Sequence, residues 1–223
     1  MVEDPAAEVA RLIVAAVEAG GHVVLTGGST PARAYEMAAG ADANWDAATV
    51  WFGDERCVPP DHPDSNYRMA ESSLLGRLDP RPEVMRIEGE LGPEAASGAY
   101  EAEVRSRLGD VPRWDLLLLG LGPDGHVASL FPGKPEVQER DRLVVGVPIA
   151  GLEPQVPRVS LTLPALNAAR AVVFLVTGQQ KADAVVRAFG PSPDDRVPGA
   201  HVRPADGSLT VVLDEAAASR LPS

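Results

Sequence analysis

Apolar positions along this chain alternate between two rhythms. Val9, Leu12, Ile13, Ala16 and Val17 recur at helical spacing, so they share one face of a helix that Gly20 and Gly21 end. His22-Val23-Val24-Leu25-Thr26 follows as a short, unbroken, β-branched run, the signature of a strand covered on both faces. Gly27-Gly28-Ser29-Thr30-Pro31 then turns into a helix through Tyr35 and Met37, with Thr30 expected as N-cap and Pro31 in the first turn. The same strand, glycine, helix grammar recurs at Val50 to Gly53, at Leu116 to Leu119 and at Ala171 to Val176. Further helices are expected over Asn66 to Leu75, Pro93 to Leu108, Gln180 to Phe189 and Asp214 to Leu221, and strands over Leu143 to Val147, Val159 to Thr162 and Leu209 to Leu213. This alternation predicts an α/β fold, a mostly parallel, Rossmann-like sheet with helices on both faces, formed by one domain over residues 1–223. Val58 to Ser65 and Gly190 to Pro204, rich in Pro and Asp, read as surface loops that border a site.

Composition narrows the function. A net charge of −12 opposes nucleic acid and anionic membrane surfaces, so an anionic ligand would have to be held by a few convergent cations. Of 20 basic residues only Lys134 and Lys181 are lysines. The single Cys57 excludes an internal disulfide and a thiolate zinc site and suits a reducing compartment, and the four histidines lack metal-ligand spacing. Glu3, Asp4 and Glu8 stand where a signal peptide would carry basic residues, and no apolar run approaches membrane-spanning length. The expectation is a cytoplasmic enzyme, a monomer or small homo-oligomer, with no metal.

Five constellations fall at or near the ends of these strands, the edge where open α/β sheets bind ligands. Gly27, Gly28, Ser29 and Thr30 form a turn at a helix N-terminus, which directs backbone N–H groups at an anion, but no Walker lysine accompanies them. Asp54-Glu55-Arg56 offers a carboxylate and a guanidinium; Arg158 and Lys181 offer cations that, taken singly, would more often be surface residues. The fifth is Gly120-Leu121-Gly122-Pro123-Asp124-Gly125-His126, which ends a buried strand in a histidine suited to general-base work, with Asp124 beside it and Gly125 expected to leave its approach open. Gly120, Gly122 and Gly125 also fit the dinucleotide pattern G-x-G-x-x-G. That pattern should run into a long helix, whereas Pro132, Gly133 and Pro135 stop one here, and Asp141 precedes a strand instead of ending one. A nicotinamide cofactor is therefore not expected.

Taken in order, Gly27 to Pro31, Trp51 to Arg56, Ser65-Asn66-Tyr67, Gly120 to Pro132, Arg158 with Leu161-Thr162, and Gly178-Gln179-Gln180-Lys181 resemble the 6-phosphogluconolactonases, within the wider group that includes glucosamine-6-phosphate deaminases. The resemblance spans nearly the whole chain and implies hydrolysis of 6-phospho-D-glucono-1,5-lactone in the oxidative pentose phosphate pathway, without cofactor. It implies His126 as general base, Asp124 as its acidic neighbour, Arg56 as a substrate contact next to Asp54, and Gly28, Ser29, Arg158 and Lys181 as phosphate ligands. Ser160 stands where threonine is common. The deaminase branch resembles the chain in the same Asp-Gly-His core but carries a glutamate five residues after the histidine, where this chain has Phe131, and an aromatic residue where it has Arg56. A deaminase or isomerase, a sugar-phosphate-binding protein without catalysis, and a nicotinamide-dependent oxidoreductase remain the rivals.

Overall fold

A computed structural model describes residues 1–222. In chain order the elements are α1 (Pro5–Glu18), β1 (His22–Leu25), α2 (Ser29–Ala39), β2 (Thr49–Phe52), β3 (Asp54–Arg56), α3 (Asn66–Ser73), β4 (Glu83–Val84), α4 (Pro93–Leu108), β5 (Leu116–Leu119), β6 (Val144–Val147), β7 (Arg158–Leu161), α5 (Leu163–Asn167), β8 (Ala171–Val176), α6 (Ala182–Phe189), β9 (Ser208–Leu213) and α7 (Glu215–Ala218). The unbroken apolar runs form the centre. β2, β1, β5 and β8 lie side by side in a six-stranded sheet of order β4-β2-β1-β5-β8-β9, with every neighbouring pair parallel. Helices flank it, α1 lying against β1, β5, β8 and β9. Trp51, Trp114, Tyr35, Phe52 and Phe174 are fully buried in the core.

The order of strands decides where a ligand can sit. From β1 the chain builds outward through β2 and β4, then returns to the other side of β1 with β5, β8 and β9. The connections after β1 and β5 therefore part in opposite directions and open a crevice at the C-terminal edge between them. Two buried tyrosines secure this edge where ladder partners run out. The Tyr35 hydroxyl donates to the Thr26 carbonyl at 2.8 Å and accepts from the Thr26 N–H at 2.9 Å, and Tyr100 does the same for Phe52 at 3.0 and 2.9 Å. Burial pushes both phenols above their ordinary range, so each stays a donor.

The structure gathers the expected strands β6 and β7, with β3, which the apolar pattern does not announce, into a second sheet. β3, β7 and β6 pair antiparallel, with Asp54 opposite Ser160 and Arg56 opposite Arg158. Gly53 hinges the two sheets, its N–H donating to Leu25 of β1 and its carbonyl accepting from Leu161 of β7. Two local expectations are corrected. α2 starts at Ser29 with Gly28 as N-cap and no side-chain cap, so Thr30 caps nothing and Pro31 is the third helical residue instead of the first; the Thr30 hydroxyl lies 3.4 Å from that of Thr177. Arg158 begins β7 instead of following a strand's end, but because β7 runs antiparallel to β3 it reaches the same edge.

Candidate active site

One cleft of about 290 Å³ at this edge is lined by Gly27, Gly28, Ser29 and Thr30 after β1, Asp54 and Arg56 of β3, His126 after β5, Arg158 of β7, and Lys181 in the turn after β8. Asp124 stands behind His126, and thus the sequence-derived site residues meet in one place despite coming from five separate stretches of chain.

The histidine loop is shaped by its own backbone. Gly122 N–H donates to the His126 carbonyl at 2.9 Å, and Gly125 N–H to the Gly122 carbonyl at 3.0 Å. Asp124 Oδ1 accepts from the His126 backbone N–H at 3.1 Å and lies 2.6 Å from its Nδ1. Burial alone would raise the Asp124 carboxyl; the hydrogen bond and charge of the His126 ring outweigh it and hold the group below the usual aspartate range. An ionised Asp124 keeps the proton on Nδ1, and Nε2 is left with a free lone pair. A Cβ on Gly122 would lie 2.0 Å from His126 Nδ1, so this glycine clears space for the ring instead of cradling a cofactor. Gly125, with φ of +91°, does not leave an open approach as expected: a Cβ there would meet Val197 at 2.6 Å.

The cations are not surface groups. Arg158 is only 4% exposed; its Nη2 donates to the carbonyls of Leu152 and Pro154, and its guanidinium lies 5.3 Å from the centre of the Phe131 ring. The centre of that ring also lies 4.7 Å from the centre of the His126 imidazole. Burial lowers the Arg158 pKa, with Asp54 opposing the fall and neighbouring Arg56 adding to it. Arg56 Nη1 donates to the Asp64 carbonyl, and the Nε atoms of both arginines are buried without a partner. Burial likewise pulls the Lys181 ammonium below its ordinary value, against the charge of Asp124. A site that desolvates Arg158 and Lys181 and leaves the Arg56 Nε without a partner gains by an anion.

Several contributors escaped sequence reasoning. Asn66 donates from Nδ2 to the Asp54 carbonyl at 2.9 Å and to Asp54 Oδ1 at 3.2 Å, and it fills the space in which a Cβ on Gly27 would sit. Ser129 donates to Asp54 Oδ2 at 2.7 Å, and its own N–H donates to Ser160 Oγ at 3.1 Å, tying the histidine loop to β3 and β7. Glu55, 3% exposed, accepts from Ser65 Oγ and from the N–H groups of Arg56, Asn66 and Tyr67, which fastens the start of α3 beneath the cleft. Burial pushes its carboxyl up and those N–H donors pull it back only in part. Glu55→Ala strands this set of donors and should cost about 3 kcal/mol, since a buried donor left without a partner costs about 1–3 kcal/mol. Urea unfolding checks it, and a loss under about 1 kcal/mol would mean that water replaces the carboxylate.

Among the described residues no group of three or more His, Cys, Asp or Glu side chains is arranged to hold a metal ion, and no helix is long and apolar enough to cross a membrane. A parallel α/β sheet whose switch point carries a carboxylate-backed histidine and desolvated cations defines a Rossmann-like protein built for proton transfer on an anionic ligand. Known proteins narrow this class. A family model described as glucosamine-6-phosphate isomerases/6-phosphogluconolactonase matches residues 1–211. The chain is 40% identical over 206 residues to a 6-phosphogluconolactonase of Nostoc sp., covering 89% of this chain and 84% of the relative. It is 44% identical over 182 residues to that of Homo sapiens, covering 80% and 69%. The structure of 6-phosphogluconolactonase from Trypanosoma brucei superposes with a TM-score of 0.88 at 30% identity, over 98% of this chain and 95% of that one. The chain belongs to the glucosamine-6-phosphate isomerase/6-phosphogluconolactonase family.

Proposed function

We propose that this chain, acting as one domain, hydrolyses 6-phospho-D-glucono-1,5-lactone to 6-phospho-D-gluconate in the oxidative pentose phosphate pathway. The observation that carries the reading is the His126 to Asp124 contact of 2.6 Å, set in a cleft with Arg56, Arg158 and Lys181 on a chain of net charge −12. The glycine turn, Ser29, Thr30, Arg158 and Lys181 hold the phosphate, and their binding energy orients the distant lactone carbonyl beside His126. Nε2 of His126 takes a proton from water as its oxygen bonds to C1. Asp124 stabilises the imidazolium so formed. The proton then passes to the ring oxygen as its bond to C1 breaks, leaving the open acid. Asp54, held by Asn66 and Ser129, and Arg56 position the reacting end.

Phe131 favours this reading over deamination. Its ring lies against His126 and Arg158 at the position where, by the resemblance, the deaminases carry their glutamate, and it can relay no proton. Release of ammonia from glucosamine 6-phosphate at a rate matching lactone hydrolysis would reverse the choice. Lys181→Ala should raise KM for the phosphorylated lactone about tenfold with little change in kcat, because it removes binding common to ground and transition states. An unaltered KM would take Lys181 out of the phosphate site. The net charge of −12 disfavours nucleic acid and anionic membrane partners, and Arg56, Arg158 and Lys181 hold the small anionic substrate against that overall field, in a cytoplasmic monomer or small homo-oligomer.

A further inference from the structure

Val197 is out of place in its own segment. Asp195 and Arg196 before it are exposed and the chain there is irregular, yet Val197 is 0% exposed. It lines no part of the cleft. Its side chain instead presses on Gly125, where an added Cβ would stand 2.6 Å from Val197 Cβ and 2.7 Å from Cγ1. Two residues on, Gly199 N–H donates to the Gly125 carbonyl at 3.0 Å, and a Cβ on Gly199 would meet Leu121 Cδ1 at 2.7 Å. From α6, Arg187 Nη1 reaches the Asp124 carbonyl at 3.4 Å. All four contacts fall on the two residues that precede His126 or on the loop they belong to.

The seat is itself fastened. Asp194 N–H donates to the Arg187 carbonyl at 2.7 Å, Asp194 Oδ2 accepts from Arg187 Nε at 3.2 Å, and Val197 N–H donates to the Asp194 carbonyl at 3.0 Å. At its far end Arg203 Nη2 donates to the Ala188 carbonyl at 2.9 Å, and Asn167 Nδ2 to the His201 carbonyl at 3.0 Å. A glycine at positive φ has little torsional resistance of its own, so the orientation of a turn built on Gly125 depends on what lies against it.

We infer that Val197 is a positioning residue for catalysis: it wedges the Asp124-Gly125-His126 turn from behind and sets the imidazole against the lactone carbonyl. This rests on His126 being the general base. The wedge acts through backbone on the reacting end alone, while the phosphate ligands stand on other elements. Loosening it therefore moves kcat and spares KM.

The test compares four variants of the full chain for lactone hydrolysis and thermal melting. Val197→Ala opens a gap against Gly125 and should lower kcat about 10- to 100-fold with KM within about twofold, since displacements on the order of 1 Å at a catalytic group cost rates of this size. Val197→Thr keeps the wedge's shape while burying a hydroxyl, so it should lose stability but keep kcat near wild type. Val104→Ala, an equal truncation at a buried position of α4, should lose stability without losing kcat. Wild-type kcat in Val197→Ala, or kcat loss that merely tracks melting temperature across the three, would overturn the inference. His126→Ala separates the two levels: if it kept full turnover the functional reading would fail, whereas an inactive His126→Ala beside a fully active Val197→Ala would remove only the wedge.

Discussion

His126→Ala should lower kcat for the phosphorylated lactone by about 10²- to 10⁴-fold, the usual contribution of a positioned general base, while the protein melts close to wild type. The expectation follows from how little else the ring supports. Its side chain is partly exposed, Nδ1 serves only Asp124, and the loop around it is closed by backbone bonds from Gly122 and Gly125 that survive the substitution. KM should change little, because the phosphate ligands are untouched. The pH dependence has a definite sign. Protonation of the free imidazole removes the lone pair at Nε2, so wild-type kcat/KM should fall on acidification, and the residual activity of the variant should lose that limb. Turnover by His126→Ala equal to wild type in a stopped-flow assay corrected for spontaneous hydrolysis would sink the mechanism.

Gly122→Ala should be nearly as damaging, although it only adds a methyl group to a residue with no chemistry of its own. The added carbon would lie 2.0 Å from His126 Nδ1, 2.2 Å from Cε1 and 2.6 Å from Asp124 Oδ1, so it would drive apart the pair that makes the histidine a base. The loop cannot give way cheaply. Gly122 is bonded through its N–H to His126 and through its carbonyl to Gly125, and relaxing the clash would break one or both. A displaced imidazole should cost about 10²-fold in kcat. Because both substitutions disable one unit, Gly122→Ala combined with His126→Ala should be scarcely slower than His126→Ala alone. Multiplied effects in the double variant would show that Gly122 acts elsewhere.

These glycines also show what a sequence can and cannot convey. The four central strands of the parallel sheet were legible because they are unbroken apolar runs, whereas the two-residue edge strand β4 was not, and the site was legible because its loops follow those runs. β3 was not, since Asp54-Glu55-Arg56 is wholly charged and becomes a strand only through pairing with β7, about a hundred residues away. Arg158 read as a surface cation for the same reason. Its burial comes from Phe131 and from the carbonyls of Leu152 and Pro154, none of which local pattern brings together. The G-x-G-x-x-G spacing left a cofactor cradle and a clearing for His126 as alternatives, and only contacts in three dimensions separate them: Gly122 faces the ring and Gly125 faces Val197. Asn66 and Ser129 had no signal beyond their place in family words, because their role is to hold Asp54 from the side.

Catalysis by His126 on a phosphate-anchored lactone is tested most directly by the rate of opening of 6-phospho-D-glucono-1,5-lactone with and without the protein, at several pH values, beside the unphosphorylated lactone. Acceleration above the spontaneous rate should be far greater for the phosphorylated lactone, decline on acidification and vanish with His126. A rate equal to the spontaneous one at every pH, or equal acceleration of both lactones, would contradict it.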